Sequence, residues 1–555
     1  MLVSMRVSLL SALFAALLFS ACGDDSSSAG AGPGGSDNSG GAGNAGGTGG
    51  SGASGAGSSG GGGAAPLICG PSGAGPHWVL ETEPLSFEIS CSNGADVSTL
   101  GFELAGLPAG ATYDEASKTV SFTPGLDQAA VYPISITLVV DGTPTDEVGA
   151  VKIGVADKWD DPANVLVTDK LAYPEEYGLP VLFLDNAPTT EEYTPATITY
   201  GAHVYAGGEA KLRGAASLNY PKNSYTLKFT KEDKFGDPSK DFEEKRKVVL
   251  ISTFDDNSYV RQRLAYDLWN AIDPQHLQID TYSAVVFLNG EYFGLYTIAD
   301  HVDGFLMEDH GLNQEGNLYK AINHDANFDT TSIQNGGAPK QTLHDGYTKK
   351  EGLPLEGELG AFDDLEELVN FVATSDDATF LTELDQRIDR RDYENWFIFA
   401  TFILADDSAG KNSYHFHDPL DPASRWRYAP WDFNASFGQT WTTHREGASD
   451  LQEYVNRNRL FERFLAAPSI ADPMKARYAT LLTNTLSAET VNALVDAYAT
   501  EIYTSAKRDE AKWVTEMQNF PWWSDRTDFN DHEGELAYVK AWIEERATFQ
   551  TSVYP

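Results

Sequence analysis

Three oxygen-bearing side chains stand in an order suited to phosphoryl transfer. In "DDSAGKNSYHFHD" Asp407 is followed five residues later by Asn412, and "WRYAPWDFNASFG" brings Asp432 twenty residues after that. The reaction needs a carboxylate to orient the attacking hydroxyl and oxygen ligands for a divalent cation. Asp407 fits the first role, and Asn412 and Asp432 fit the second. D-x-x-x-x-N alone is weak in an Asp-rich chain, where an isolated match usually caps a turn. Asp406 reads as such a turn residue, and no His-Arg precedes Asp407.

Phosphates also need donors. "GGEAKLRGAASLNYPKNSYTLKFTK" reads as strand, glycine-containing turn, strand, a form that lets backbone N–H groups approach phosphates. Arg213, Lys222 and Lys228 place positive charge around it. In "SYTLKF" Ser224, Thr226 and Lys228 share one face and Tyr225, Leu227 and Phe229 the other. Lys228 points either into a cleft or, as an edge-strand lysine, into solvent.

The elements that must hold these groups follow from periodicity. "SYHFHD" alternates as a strand, and "RWRYAPWD" returns as its hairpin partner, which carries Asp432 back beside the Asp407 loop. "DDNSYVRQRLAYDLWNAI" predicts a helix capped by Asn257 or Ser258, with Val260, Leu264, Leu268 and Ala271 as its apolar stripe. Arg261 and Arg263 lie off that stripe. They line a cleft or pair with neighbours such as Asp267, the helix's one acidic residue. "AVVFLNGEYFGLYTIADHVD" is a hairpin turning at "NG". It leads into the helix-rich half, so in a two-lobed body the joining segment, where a nucleotide base would bind, would run from Thr297 to His301; a plain core hairpin gives the same pattern.

Four stretches in this order, "RGAASLNYPKNSYTLKF", "VRQRLAYDLWNAI", "LNGEYFGLYTIADHVD" and "DDSAGKNSYHFHD…WRYAPWDFNASFG", resemble the spore-coat protein H (CotH) kinase family. The ending "VKAWIEERATFQTSVY" is similar to that family's last helix, so the resemblance covers nearly all of 157–555. It implies an atypical kinase fold that uses ATP and Mg2+ or Mn2+ to phosphorylate Ser (or Thr) of envelope or coat proteins. Asp407 then falls on the catalytic Asp, Asn412 and Asp432 on metal ligands, and Arg213, Lys222 and Lys228 on the basic cluster. The second acidic position of the metal motif is Asn434 here, which offers an oxygen without charge.

The chain has 555 residues, enough for more than one domain. Residues 1–21 carry Arg6, an apolar run and small residues, the pattern of a secretory signal. "LLFSAC" resembles a lipobox, with Phe19 a departure, so Cys22 is the expected lipidation site; an ordinary cleaved signal is the alternative. Gly23 after the cysteine favours the outer membrane or cell surface. Residues 22–66 are Gly/Ser-rich and read as a flexible linker. Residues 67–156 hold short alternating runs ("LSFEISC", "TLGFELAG", "KTVSFTP", "YPISITLVV") that predict a small antiparallel immunoglobulin- or cadherin-like sandwich. In an oxidising compartment Cys69 and Cys91 are expected to pair; two buried free thiols are the alternative. Residues 157–555 have strands first and helices second, an α+β, two-lobed kinase-like body.

With 81 acidic against 39 basic side chains and a net charge of -42, the chain repels nucleic acid and anionic membrane surfaces. Contact with the membrane is expected only through the lipid anchor, and the partner is a protein substrate. Other chemistries find little support. There is no H-E-x-x-H and no G-x-S-x-G. His415 and His417 share a strand face without a third ligand. Asp325, Asn327 and Asp329 have calcium-loop spacing but lack the later Gly and Glu, so they read as a turn. "PWWSD" suits sugar stacking or, more commonly, a core. Export raises the alternative of a catalytically inactive kinase fold that serves as an adhesin or scaffold, since ATP is scarce outside the cytoplasm.

Overall fold

A computed structural model of the chain describes residues 68–71, 77–91, 97–451, 457–523 and 528–555. The expected signal, Cys22 and the whole of the linker lie outside the described residues. No helix among the described residues is long and apolar enough to cross a membrane.

The N-terminal region is all β. One four-stranded sheet joins Cys69–Pro71, Leu85–Cys91, Thr119–Phe122 and Thr112–Asp114. The other joins His77–Leu80, Thr143–Ala156, Ala130–Val140 and Gly101–Ala105. Both contribute to one core that includes Phe87, Phe102, Val120, Ile136 and Ile153, so the region fits the expected immunoglobulin-like module. Pairing is not antiparallel throughout. His77–Leu80 runs parallel to Ile153–Ala156, because the two are not joined by a hairpin that would force them antiparallel. Cys69 sits opposite Cys91 and is bonded to it.

A buried carboxylate holds this region together and fixes the chain where it leaves it. The Glu81 carboxylate is fully buried and accepts backbone hydrogen bonds from Gln128 at 3.1 Å, Ala129 at 3.0 Å and Lys158 at 3.0 Å.

The remaining chain is built on two sheets. A ten-stranded sheet contains, as consecutive neighbours, Glu209–Arg213, Ser224–Lys228, Lys247–Ile251, Glu291–Asp300, Thr281–Leu288 and Leu179–Asp185. The expected hairpin turns at Asn289 and Gly290, both left-handed with φ of 52° and 85°, as an "NG" turn requires. A four-stranded sheet has the order Tyr347–Glu351, Asn317–Ala321, Ser413–His417 and Arg427–Pro430.

Helices pack around both sheets. The expected helix spans Arg261–Ile272, but Val260 precedes it without a side-chain cap bond. Neither Asn257 nor Ser258 caps it. Asp256 does part of that work, accepting from the backbone N–H of Ser258 and of Arg261, each at 3.0 Å. Ala271 is exposed, while Ala265, Tyr266 and Trp269 join Leu264 and Leu268 in the core. The helix is embedded on several sides rather than along one stripe. Arg261 pairs with Asp256 and Glu535, and Arg263 with Glu501.

The core is continuous between the strand-rich and helix-rich halves. One cluster contains Phe183 and Val285 of the large sheet, Trp269, Trp396 beside the small sheet, and Phe461 and Trp542 of the late helices. Helix Ala488–Gln518 returns to the large sheet, where the Trp513 indole N–H donates to the Phe293 carbonyl at 2.8 Å.

Candidate functional site

Helix Arg390–Ile403 delivers the Asp407 loop. Every residue from Asp392 to Ile403 is buried, so the helix is held rigidly. It stops where Leu404 turns left-handed, with φ of 51°. The loop then feeds strand Ser413–His417, whose expected hairpin partner Arg427–Pro430 returns with Ser413 opposite Pro430. That pairing brings Asp432 back to Asn412. The Ser408 hydroxyl donates to the Asp432 carbonyl at 3.2 Å, which ties the two stretches together. Asn412 and Asp432 both have left-handed backbones, with φ of 56° and 62°. Such conformations cost energy outside glycine and persist where the surroundings impose them.

The Asp407 carboxylate is held from three sides. It accepts from the Lys411 ammonium at 2.7 Å and the Asn412 amide at 3.0 Å, and His324 Nε2 lies 3.5 Å away. Burial alone would raise its pKa, but Lys411 and His324 outweigh burial and hold it at about 2. It is therefore ionised at neutral pH. Asp432 behaves oppositely. Burial and the facing Asp407 carboxylate raise it, against the pull of Lys411, Lys320 and Arg213. The three predicted side chains thus converge.

Arg213 reaches this place from the large sheet. Its guanidinium stacks 4.7 Å from the Trp431 ring, next to Asp432 in sequence. The turn that follows needs glycine at 214: φ is 125°, and a Cβ there would meet Ser217 Oγ at 1.9 Å. The same loop ends at Tyr220, whose hydroxyl donates to Asp255 at 3.3 Å. Asn434 donates its amide to the same Asp255 carboxylate. Burial chiefly pushes Asp255 up to about 6, with Asp432 and Asp256 adding to it and the Asn434 bond opposing.

The other expected nucleotide contacts are elsewhere. Lys222 is fully buried and bonded to Asp509 and to the Leu295 carbonyl, each at 2.6 Å. It clamps the late helix to the sheet and does not face the site. Lys228 pairs with Glu209 at 2.8 Å, both side chains being part-exposed. Arg213 lies opposite Ser224 while Lys228 is four residues further along that strand, roughly 13 Å away at strand rise. Thr297 is 1% exposed inside strand Glu291–Asp300, between Ser283 and Ile251. The hairpin strand continues to Asp300, so Thr297 is not in a connector. His301 is, but its ring lies 3.3 Å from Asp303, which also takes Lys247 at 3.2 Å. Asp267 accepts from the Tyr498 hydroxyl and lies 3.9 Å from the Arg263 guanidinium, a pairing within the helix that was expected.

Sequence reasoning missed Lys411, Lys320, His324 and Asp255. Lys411 was within reach, since it sits inside the Asp407–Asn412 spacing. The others come from distant stretches, and nothing local marks them.

Residues 210–550 match the model of the family described as CotH kinase protein. The chain belongs to the CotH kinase family. No curated protein matches it. The CotH match takes in both strands that bear Arg213 and Ser224, the Asp407 loop and Asp432, so every group gathered above falls inside it. Family membership points to kinase-like chemistry with ATP and a divalent metal.

The residues present fit such a metal. Among the described residues no cluster of three or more His, Cys, Asp or Glu is set to enclose an ion. Mg2+ does not need one, because it keeps several waters and takes one or two carboxylates. Asp432 offers a carboxylate facing another acid, and Asn412 an amide oxygen. These hard oxygen donors suit Mg2+ or Mn2+ rather than zinc. His415, by contrast, is fully buried and hydrogen-bonded between Tyr393 and Ser413. The Asp325–Asp329 stretch is a turn whose carboxylates bind Ser332, Gln334 and Thr330. Trp523 packs in an aromatic core with Tyr220, Phe254 and Trp513.

Proposed function

We propose that this chain is an exported CotH-type kinase that moves the γ-phosphate of ATP to a Ser or Thr hydroxyl of an envelope or coat protein. The observation that carries the reading is the convergence of Asp407, Asn412 and Asp432 beneath Arg213. Asp407 accepts a hydrogen bond from the incoming hydroxyl and aims its oxygen at the γ-phosphorus. A new P–O bond forms as the bond to the β-phosphate oxygen breaks, ADP leaves, and the hydroxyl proton passes to Asp407 or solvent. Positioning of this kind supplies most of the catalysis in phosphoryl transfer. Lys411 holds Asp407 in place, and Arg213 and Lys320 offset phosphate charge. Asp432 and Asn412 would hold the cation, which when bound neutralises charge on the phosphates. The lipobox-like "LLFSAC" and the linker support a lipid-tethered address on the outer membrane or surface, with the β module as a spacer.

The test is transfer of label from γ-labelled ATP to a Ser-containing acceptor by the full-length protein, with Mg2+ or Mn2+. Asp407→Ala and Asp432→Ala are each expected to lose at least about a hundredfold in rate. Label that persists in both variants overturns the assignment. The inactive-scaffold reading has one observation in its favour, the uncharged Asn434. Polysaccharide or cell-surface binding without any label transfer would support it.

A further inference from the structure

Asp255 and Asp256 are adjacent in the turn between strand Lys247–Ile251 and helix Arg261–Ile272, yet their surroundings differ. Asp256 is satisfied: it takes the backbone N–H and hydroxyl of Ser258, the backbone N–H of Arg261 and the Arg261 guanidinium. Asp255 receives only neutral donors, the Asn434 amide and the Tyr220 hydroxyl. No described Lys, Arg or His forms an ion pair with it, and the neighbouring charges it feels are the carboxylates of Asp432 and Asp256. Its position is fixed from behind, since the Gln439 amide donates to its carbonyl at 2.8 Å and Phe254 is buried in the aromatic cluster. The Asn434 bond ties Asp255 to the turn that bears Asp432 two residues earlier, and an acid held there by neutral donors alone suits a positive ion.

We propose that Asp255 supplies the charge that Asn434 lacks, so that Asp432 and Asp255, with the Asn412 and Asn434 amide oxygens, form the divalent-cation site. The acidic ligand has moved from the loop after Asp432 to a turn that precedes it by well over a hundred residues. This inference rests on the kinase reading of Asp432, and its test separates the two. Losing a charged oxygen ligand weakens a hard cation strongly, because affinity follows the number of charged ligands.

The experiment titrates Mn2+ alone into the full-length protein and follows free ion by its paramagnetic resonance signal, with thermal melting as the check on folding. Asp255→Asn is expected to weaken Mn2+ binding at least about tenfold. The exchange variant Asp255→Asn/Asn434→Asp keeps one acid and one amide in contact, and is expected to return within about threefold of the parent. It also decides the matter if the single variant does not fold. Tyr220→Phe removes a donor and no ligand, so its affinity should not change. Mn2+ bound equally well by Asp255→Asn, with binding lost in Asp432→Asn, overturns the Asp255 assignment and leaves the kinase site standing. Binding unaffected by Asp432→Asn, or absent from the parent, overturns both.

Discussion

At the residue scale the contacts separate a lysine at the proposed site from one that holds the fold. Lys411 and Lys222 both touch an aspartate, but only Lys411 touches Asp407, at 2.7 Å. Lys411→Ala leaves Asp407 without its nearest cation, and label transfer is expected to fall at least about tenfold with the melting temperature nearly unchanged. An unaltered rate would remove Lys411 from the site. Lys222 is fully buried against Asp509. Lys222→Ala strands a buried carboxylate and should cost about 3–5 kcal/mol in chemical denaturation. Lys222→Met with Asp509→Leu should recover most of that, since a packed apolar pair avoids the desolvation cost; failure to recover would mean that Lys222 does more than neutralise Asp509.

At the element scale the strand Glu291–Asp300 shows why a hairpin read correctly still misplaced its residues. Gly294 has φ of 140°, and a Cβ there would lie 2.1 Å from Asp509 Oδ2. The strand thus admits the returning helix Ala488–Gln518, and the chain past Gly294 continues as buried sheet through Thr297. Gly294→Ala is expected to destabilise by about 2–3 kcal/mol, from overpacking and from a backbone that alanine disfavours. A melting temperature equal to the parent's would contradict this account of the helix–strand contact.

At the scale of the whole molecule the last helix, His532–Val553, is pinned by a buried charge network. Glu535 bonds Arg261 and Arg445, each at 2.6 Å. Burial would raise its pKa, but the two guanidinium groups outweigh burial and hold it at about 2. A depressed carboxylate stabilises the fold fully above its ordinary value, near 4.5, and loses that contribution as pH falls towards about 2. The contribution amounts to about 3 kcal/mol. Stability measured from pH 5 down to 2 should therefore drop more steeply in the parent than in Glu535→Gln, which will already be weaker at pH 7. Parallel curves would show that Glu535 is not a source of the acid sensitivity. The Cys69–Cys91 bond acts on a different part. Reduction should lower the stability of the N-terminal β region by about 3 kcal/mol, seen as a shift in its own calorimetric transition. A shift of the main transition alone would refute that separation.

The sequence by itself determined the elements and the central constellation. Alternation marked Ser413–His417 and its return strand, and a hairpin of that length must bring Asp432 beside Asn412. Spacing and alternation together therefore placed those two with Asp407, whereas helix Arg390–Ile403, which delivers the loop, and strand Asn317–Ala321 beside it went unread. What the tertiary structure decided is which distant charges join them. Lys222 and Lys228 look alike in a basic loop and strand. Only packing against Asp509 and pairing with Glu209 take them away from the site. Lys320, His324 and Asp255 come from segments whose local pattern, where it could be read, pointed to a helix start or a turn and not to this site, because electrostatic contacts are set by distance in space and leave no period along the chain.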